Sequence, residues 1–180
     1  MSLVISLPEW LEASNCKEVA FSDDVSAMQF VLALAQRNIK EGGGPFAAAI
    51  VSESGSLVAA GVNRVVSAGS SVLHAEMLAL MLAQQKAGTH DLSTAGRFTL
   101  VTSCAPCAMC LGAIPWSGVR RVVCGARGED AELIGFDEGD KPDRWQQRLE
   151  ARCIGVSEDI CREQAAAILL DYRDGGYPLY

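Results

Sequence analysis

Apolar positions change their period along this chain, and each change marks an element. Val25, Met28, Val31, Leu32 and Ala35 recur at three- and four-residue intervals behind the capping signal Ser22-Asp23-Asp24, and the run stops at Gly42-Gly43-Gly44. That spacing puts one apolar face on a long amphipathic helix. Phe46 to Ser52 and Ser56 to Val66 are β-rich runs around a short Glu53-Ser54-Gly55 connection, the pattern of a β-hairpin. Val72 to Lys86 returns to the helical period and stops at Gly88, with His74 and Glu76 in its first turn. Phe98 to Thr102 reads as a strand, Cys107 to Ile114 as a short helix ended by Pro115, and Val119 to Cys124 as another strand. Arg152 to Val156 makes a last short strand. Glu158 to Tyr172 is a C-terminal helix with Ile160, Ala167, Ile168 and Leu169 as apolar positions. The alternation predicts one α/β sheet covered on both faces, opened by an antiparallel hairpin.

Gly125 to Arg144 breaks this pattern. It is rich in Gly, Asp, Glu and Pro, and reads as a long surface excursion of the kind that lines a site. The 180 residues suit one domain over 1–180, with 1–20 as an N-terminal extension and 174–180 as a candidate C-terminal lid. The apolar run from Met28 to Ala35 is too short to span a bilayer, and Met1 to Leu7 lacks the positive flank of a signal peptide. Both features predict a soluble, cytoplasmic protein with no membrane partner. Seven cysteines are an odd set, and three crowd into Cys104, Cys107 and Cys110, a spacing of ligands or reactive thiols rather than of a secreted disulfide framework. The formal net charge of −7 opposes a phosphate-backbone partner, so no nucleic acid is expected. Arg120-Arg121, the strongest cationic cluster, reads as a solvated strand end.

The chemistry concentrates in Pro106-Cys107-Ala108-Met109-Cys110 and in His74-Ala75-Glu76. Cysteines at i and i+3 at a helix start share one face, and a distant His completes three ligands for a zinc whose fourth position is left to water or hydroxide. Such an open zinc lowers the pKa of its water toward about 7. His74 and Glu76 are two residues apart, roughly 200° around a helix, and so suit different roles. His74 is the metal ligand, and Glu76 is the catalytic acid-base that moves protons between water and substrate. Two other readings stay open. Cys104 and Cys107 have the spacing of a thioredoxin-like redox pair, and Cys104 as a fourth ligand would close a structural zinc in a binding module. His90 reads as an exposed residue. Gly42-Gly43-Gly44 lacks the Lys-Ser or Lys-Thr of a phosphate loop and reads as a helix stop.

At these residues the chain resembles the cytidine deaminase-like zinc hydrolases, whose pattern is His-x-Glu followed by Pro-Cys-x-x-Cys. The likeness extends through Gly43-Gly44-Pro45-Phe46, Asn63, Thr102 to Ile114, and Gly135-Phe136-Asp137-Glu138, over roughly residues 25 to 140. It implies a three-layer α/β/α sandwich around a mixed, roughly five-stranded sheet, one Zn2+ per subunit and a homodimer. Gly-Phe-Asp-acid resembles the guanine deaminase branch, which implies hydrolysis of guanine, a small purine, to xanthine and ammonia. On that likeness Glu138, Asn63, Phe46, Trp116, Ala75 and Tyr180 are the expected substrate contacts. A carboxylate at Glu138 suits the N–H donors of guanine, and aromatic faces suit a flat purine. In similar enzymes the C-terminal segment crosses to the partner's site, and Tyr177 to Tyr180 would serve as that lid. The alternatives are a tRNA adenosine deaminase, which the net charge disfavours, and a deaminase of cytosine nucleosides or aminotriazines.

Overall fold

The computed structural model describes residues 5–180; Met1–Val4, the start of the apolar N-terminal stretch, lie outside the described residues. In chain order the elements are α1 (Glu9–Asn15), α2 (Asp24–Lys40), β1 (Ala47–Ser52), β2 (Leu57–Val62), α3 (Val65–Ala68) and α4 (Ala75–Ala87). There follow β3 (Phe98–Cys104), α5 (Ala108–Ser117), β4 (Arg121–Ala126), α6 (Gly128–Glu132), α7 (Trp145–Glu150), β5 (Gly155–Ser157) and α8 (Arg162–Asp174). The five strands form one sheet in the order β2-β1-β3-β4-β5, with β1 antiparallel to both neighbours and β3, β4 and β5 parallel. This is the expected mixed sheet with a hairpin at its beginning.

Alternation along the strands assigns the two helical layers. Ala47, Ala49 and Val51 of β1 and Val123 of β4 pack toward α2 and α8, while Ala48, Ile50, Val122 and Cys124 pack toward α4, α5 and α7. Three consecutive alanines form a weak strand by propensity, so β1 is held by being buried on both faces rather than by intrinsic preference. Small residues also let helices approach closely. At Gly61 a Cβ would collide with the Ala75 carbonyl, so only the bare glycine lets the first turn of α4 rest on β2.

Several boundaries differ from the sequence expectation for physical reasons. β2 stops at Val62, and Val65–Ala68 turns into a short helix closed by Gly69 in the left-handed region. α4 starts at Ala75, so His74 is its cap and not part of its first turn. Pro115 lies inside α5, which runs on to Ser117 and ends at left-handed Gly118; the bond lost to proline falls in the last turn. The excursion after β4 contains α6, and residues 145–150 form a further helix, α7, with Trp145 and Leu149 buried. The N-terminal extension is partly built into the fold. Leu11 of α1 is fully buried, and the Asn15 amide both donates to and accepts from the Ala60 backbone. No helix among the described residues is long and apolar enough to cross a membrane.

Candidate active site

Two helices begin side by side at the carboxyl ends of the parallel strands. β3 ends at Cys104, and three residues later α5 starts with Cys107 as its cap; α4 starts with His74 as its cap. Both caps have extended backbone, and the His74 ring makes no capping bond to its own helix, which leaves it free to face a ligand. The His74 Nδ1 and Cys107 Sγ atoms are 3.5 Å apart. Cys110, one turn into α5 and fully buried, completes the group: one donor atom from each of His74, Cys107 and Cys110 lies within 4.8 Å of the others.

The electrostatics of this cluster call for a cation. A hydrogen bond from the Cys110 thiol pulls Cys107 down to about 4, against the opposing effect of burial and with help from His74. Cys110 is pushed up by donating that bond and by burial. Two helix N-termini add positive potential that favours thiolate. Burial lowers His74, but the Cys107 sulfur and then Glu76 outweigh it and raise it. Glu76 is buried, and burial followed by the Cys107 charge raises its carboxyl. A soft S, S, N donor set surrounded by surplus negative charge fits a zinc ion. Cys104 does not join it, because its Sγ donates to the Arg127 carbonyl at 3.3 Å.

Above the cluster lies a small cavity of about 40 Å³, lined by Asn63, Glu76, Phe46, Phe136, Glu138 and Tyr180 among others. Larger hollows exist, such as a 590 Å³ groove around Arg97 and Arg121, but that groove lies at the opposite ends of β3 and β4, away from the chemistry. The Asn63 Oδ1 accepts from the Val65 amide, and its Nδ2, buried, has no partner among the described residues. Asn38, itself fully buried, donates to both the Gly44 and Asn63 carbonyls and so ties the glycine loop to this strand exit. Glu138 is buried, and its backbone carbonyl accepts from the amide of Ala108, the first residue of α5. Burial pushes the Glu138 carboxyl up to about 7, the nearby Lys141 opposes this, and Cys107 adds to it.

Not every expected contact is brought here. Trp116 is 84% exposed on the outer side of α5, two residues beyond buried Ile114 and therefore roughly 200° around the helix from it. The aromatic wall comes instead from Phe136, packed edge-on against Phe46 at 4.9 Å between ring centroids. A lone Phe between glycine and acids in a polar loop was the available signal, since nothing but an inward pocket would keep it there. Ala75 is buried under Gly61 and does not line the cavity. The tail lies over its own chain's cavity. The Tyr172 hydroxyl donates to the Pro178 carbonyl at 2.7 Å, Tyr177 stacks on Tyr172, and Tyr180 packs edge-on against Phe136. Gly44 and Gly135 make room for it, since a Cβ at either would run into Tyr180 or Leu179.

Residues 21–126 match the family model of the cytidine and deoxycytidylate deaminase zinc-binding region. The chain belongs to this family. It is therefore a zinc-binding hydrolytic deaminase acting on cyclic amidines. A solved guanine deaminase from Nitrosomonas europaea is 48% identical, with a TM-score of 0.94, covering 96% of this chain and 97% of that one. A related solved structure, a variant in complex with 8-azaguanine, has the same identity and TM-score and covers 96% and 98%. Guanine deaminase from Bacillus subtilis is 41% identical over 96 residues, 53% of this chain and 59% of that protein. The three-layer fold around the mixed sheet is the fold of these enzymes.

Proposed function

We propose that this protein is a guanine deaminase, hydrolysing guanine at C2 to xanthine and ammonia. The observation that carries this reading is Glu138, a buried carboxylate facing the same cavity as His74, Cys107 and Glu76. Guanine presents N–H donors at N1 and at its 2-amino group, and a buried carboxylate binds such a pair far better than it binds the acceptor edge of adenine. The whole-chain likeness to guanine deaminases supports the same substrate.

His74, Cys107 and Cys110 would hold one zinc per subunit. When bound, it supplies the Lewis acidity that makes a water nucleophilic near neutral pH. Glu76 takes the proton of that water. Its buried carboxyl has a raised proton affinity, which suits it to hold a proton and pass it on. N1 of guanine already carries hydrogen, so the lone pair of N3, beside C2, receives that proton; Glu76 then takes the second proton from the oxygen added at C2 and delivers it to the departing amine, leaving the C2 carbonyl of xanthine. Asn63 offers its unpartnered Nδ2–H to an acceptor on the purine, and the edge-packed Phe46 and Phe136 offer one apolar wall to the ring. A cavity of about 40 Å³ is far below the roughly 300 Å³ at which small-molecule pockets begin, so the tail carrying Tyr180 must lift to admit a purine and close again over it. The exposed Trp116 suits a subunit contact, in keeping with a homodimer. Free cysteines throughout and an acidic surface are in keeping with a reducing cytoplasm and a small-molecule partner rather than nucleic acid.

Ammonia release measured across guanine, guanosine, adenine, cytosine, cytidine and aminotriazines tests the reading. Guanine should give the highest kcat/KM. A higher value for cytosine or for a tRNA anticodon stem-loop would overturn it.

A further inference from the structure

Glu138 does not stand in its cavity unaided. Its Oε2 is 3.3 Å from the Lys141 Nζ, with both side chains almost fully buried, at 9% and 13% exposure. The ammonium lies 4.9 Å from the centroid of the Trp145 ring, whose own indole is packed into the layer of α4 and α5. Gly128 forms the floor beneath the pair, where a Cβ would come within 3.2 Å of Oε2 and 3.3 Å of Nζ. A tight turn presents both residues, with the Lys141 amide donating to the Gly139 carbonyl at 2.7 Å and the Gly139 amide to Asp137 at 2.8 Å. Glu138 lines the inner cavity beside His74 and Glu76 and also an outer hollow shared with Lys141 and Trp145.

We propose that Lys141 is a positioning residue for substrate recognition, which from its seat over Trp145 holds the Glu138 carboxylate ready to accept the N–H donors of the substrate. The inference rests on the reading of Glu138 as the substrate-binding acid. A buried lysine is costly unless its charge is compensated, and here a carboxylate and an aromatic face both compensate it. Oε2 is occupied by the ammonium, while Oε1 has no hydrogen-bond partner among the described residues and is left for the substrate. Removing the ammonium would leave a buried carboxylate unpaired, and such a group takes up a proton and turns from acceptor to donor. Lys141 touches neither the metal-binding group nor Glu76, so its effect should fall on binding and leave the proton-transfer step alone.

Steady-state guanine deamination by wild type, Glu138→Gln, Lys141→Met and the double variant tests this, with zinc content and melting temperature measured on the same samples. Glu138→Gln should raise KM at least about tenfold, and Lys141→Met should do the same while kcat stays within about threefold and zinc content is unchanged. The double variant should be no worse than Glu138→Gln alone, because both changes remove one interaction. If Lys141→Met does not melt cooperatively, Lys141→Gln takes its place in the same cycle. An unchanged KM in the Lys141 variant, or KM effects that multiply in the double variant, would overturn the positioning role while leaving Glu138 as the binding acid. An unchanged KM in Glu138→Gln would overturn the reading of Glu138 itself, and the role of Lys141 with it.

Discussion

His74 and Cys107 cap two helices anchored in the core, on Gly61 at one side and directly behind β3 at the other. Phe136, Glu138 and Tyr180, which form the opposite wall of the same cavity, come from a loop and a chain end. The first wall takes its geometry from elements that cannot shift without opening the sheet. The second is held by fewer contacts, among them the Glu138–Lys141 pair, the Ala108–Glu138 backbone hydrogen bond, the Phe136–Tyr180 packing and the Tyr172–Pro178 hydrogen bond. On the proposed function, the first wall would set the reaction, and the second, movable wall would set which ring is accepted and when the cavity opens.

Damage to the rigid wall should give the largest effects. Cys110→Ala should lose zinc, read by metal analysis, and reduce turnover to background, since two ligands do not retain the metal against a chelator. Glu76→Gln should keep its zinc yet lower kcat at least about a hundredfold, the usual share of acid-base catalysis; unchanged turnover would remove Glu76 from proton transfer. Damage to the movable wall should separate binding from chemistry. Deleting residues 175–180 should raise KM by about tenfold with zinc content intact, and a normal KM would show that the tail does not help to close the cavity. The smallest effect belongs to the root of the movable loop, where Arg162 bonds both oxygens of Asp130 and Arg127 bonds both oxygens of Asp159. The Arg162 hydrogen bonds hold Asp130 below its ordinary 3.8. A depressed carboxyl adds stability above its unfolded value, and the contribution is lost as pH falls through the folded value. Asp130→Asn should therefore lower Tm by about 2 °C or less at pH 7, a difference that shrinks as the pH falls below the ordinary 3.8 of the carboxyl.

The same division governs what could be read from the chain. Ligand chemistry imposes residue types and spacings, so His74, Glu76, Cys107 and Cys110 are legible from the sequence, and the structure brings all four together. Strands with a buried face and helices with one apolar stripe announce themselves by period, which is why a sheet covered on both faces and opened by a hairpin was foreshadowed by the alternation. Exact helix starts were not, because a cap has extended backbone and can carry any side chain. Phe136 and Tyr180 meet across forty-four positions, and no local pattern encodes a contact that depends on how a loop and a tail fold back. Trp116 shows the converse. Its neighbourhood in the motif suggested a wall of the pocket, and the helix phase set by Cys110 and Ile114 turns it outward. Lys141 was invisible for a related reason, since one lysine in an acidic loop reads as a solvated charge until Trp145 is seen beneath it.

The most direct test of the division is ammonia release from guanine by zinc-loaded protein, by the same protein after chelation, and after zinc is returned, with circular dichroism on each sample. Chelation should abolish turnover while the helical signal persists, and zinc should restore turnover. No ammonia from guanine at full zinc content, or collapse of the fold on chelation, would contradict a guanine deaminase whose metal is there for chemistry.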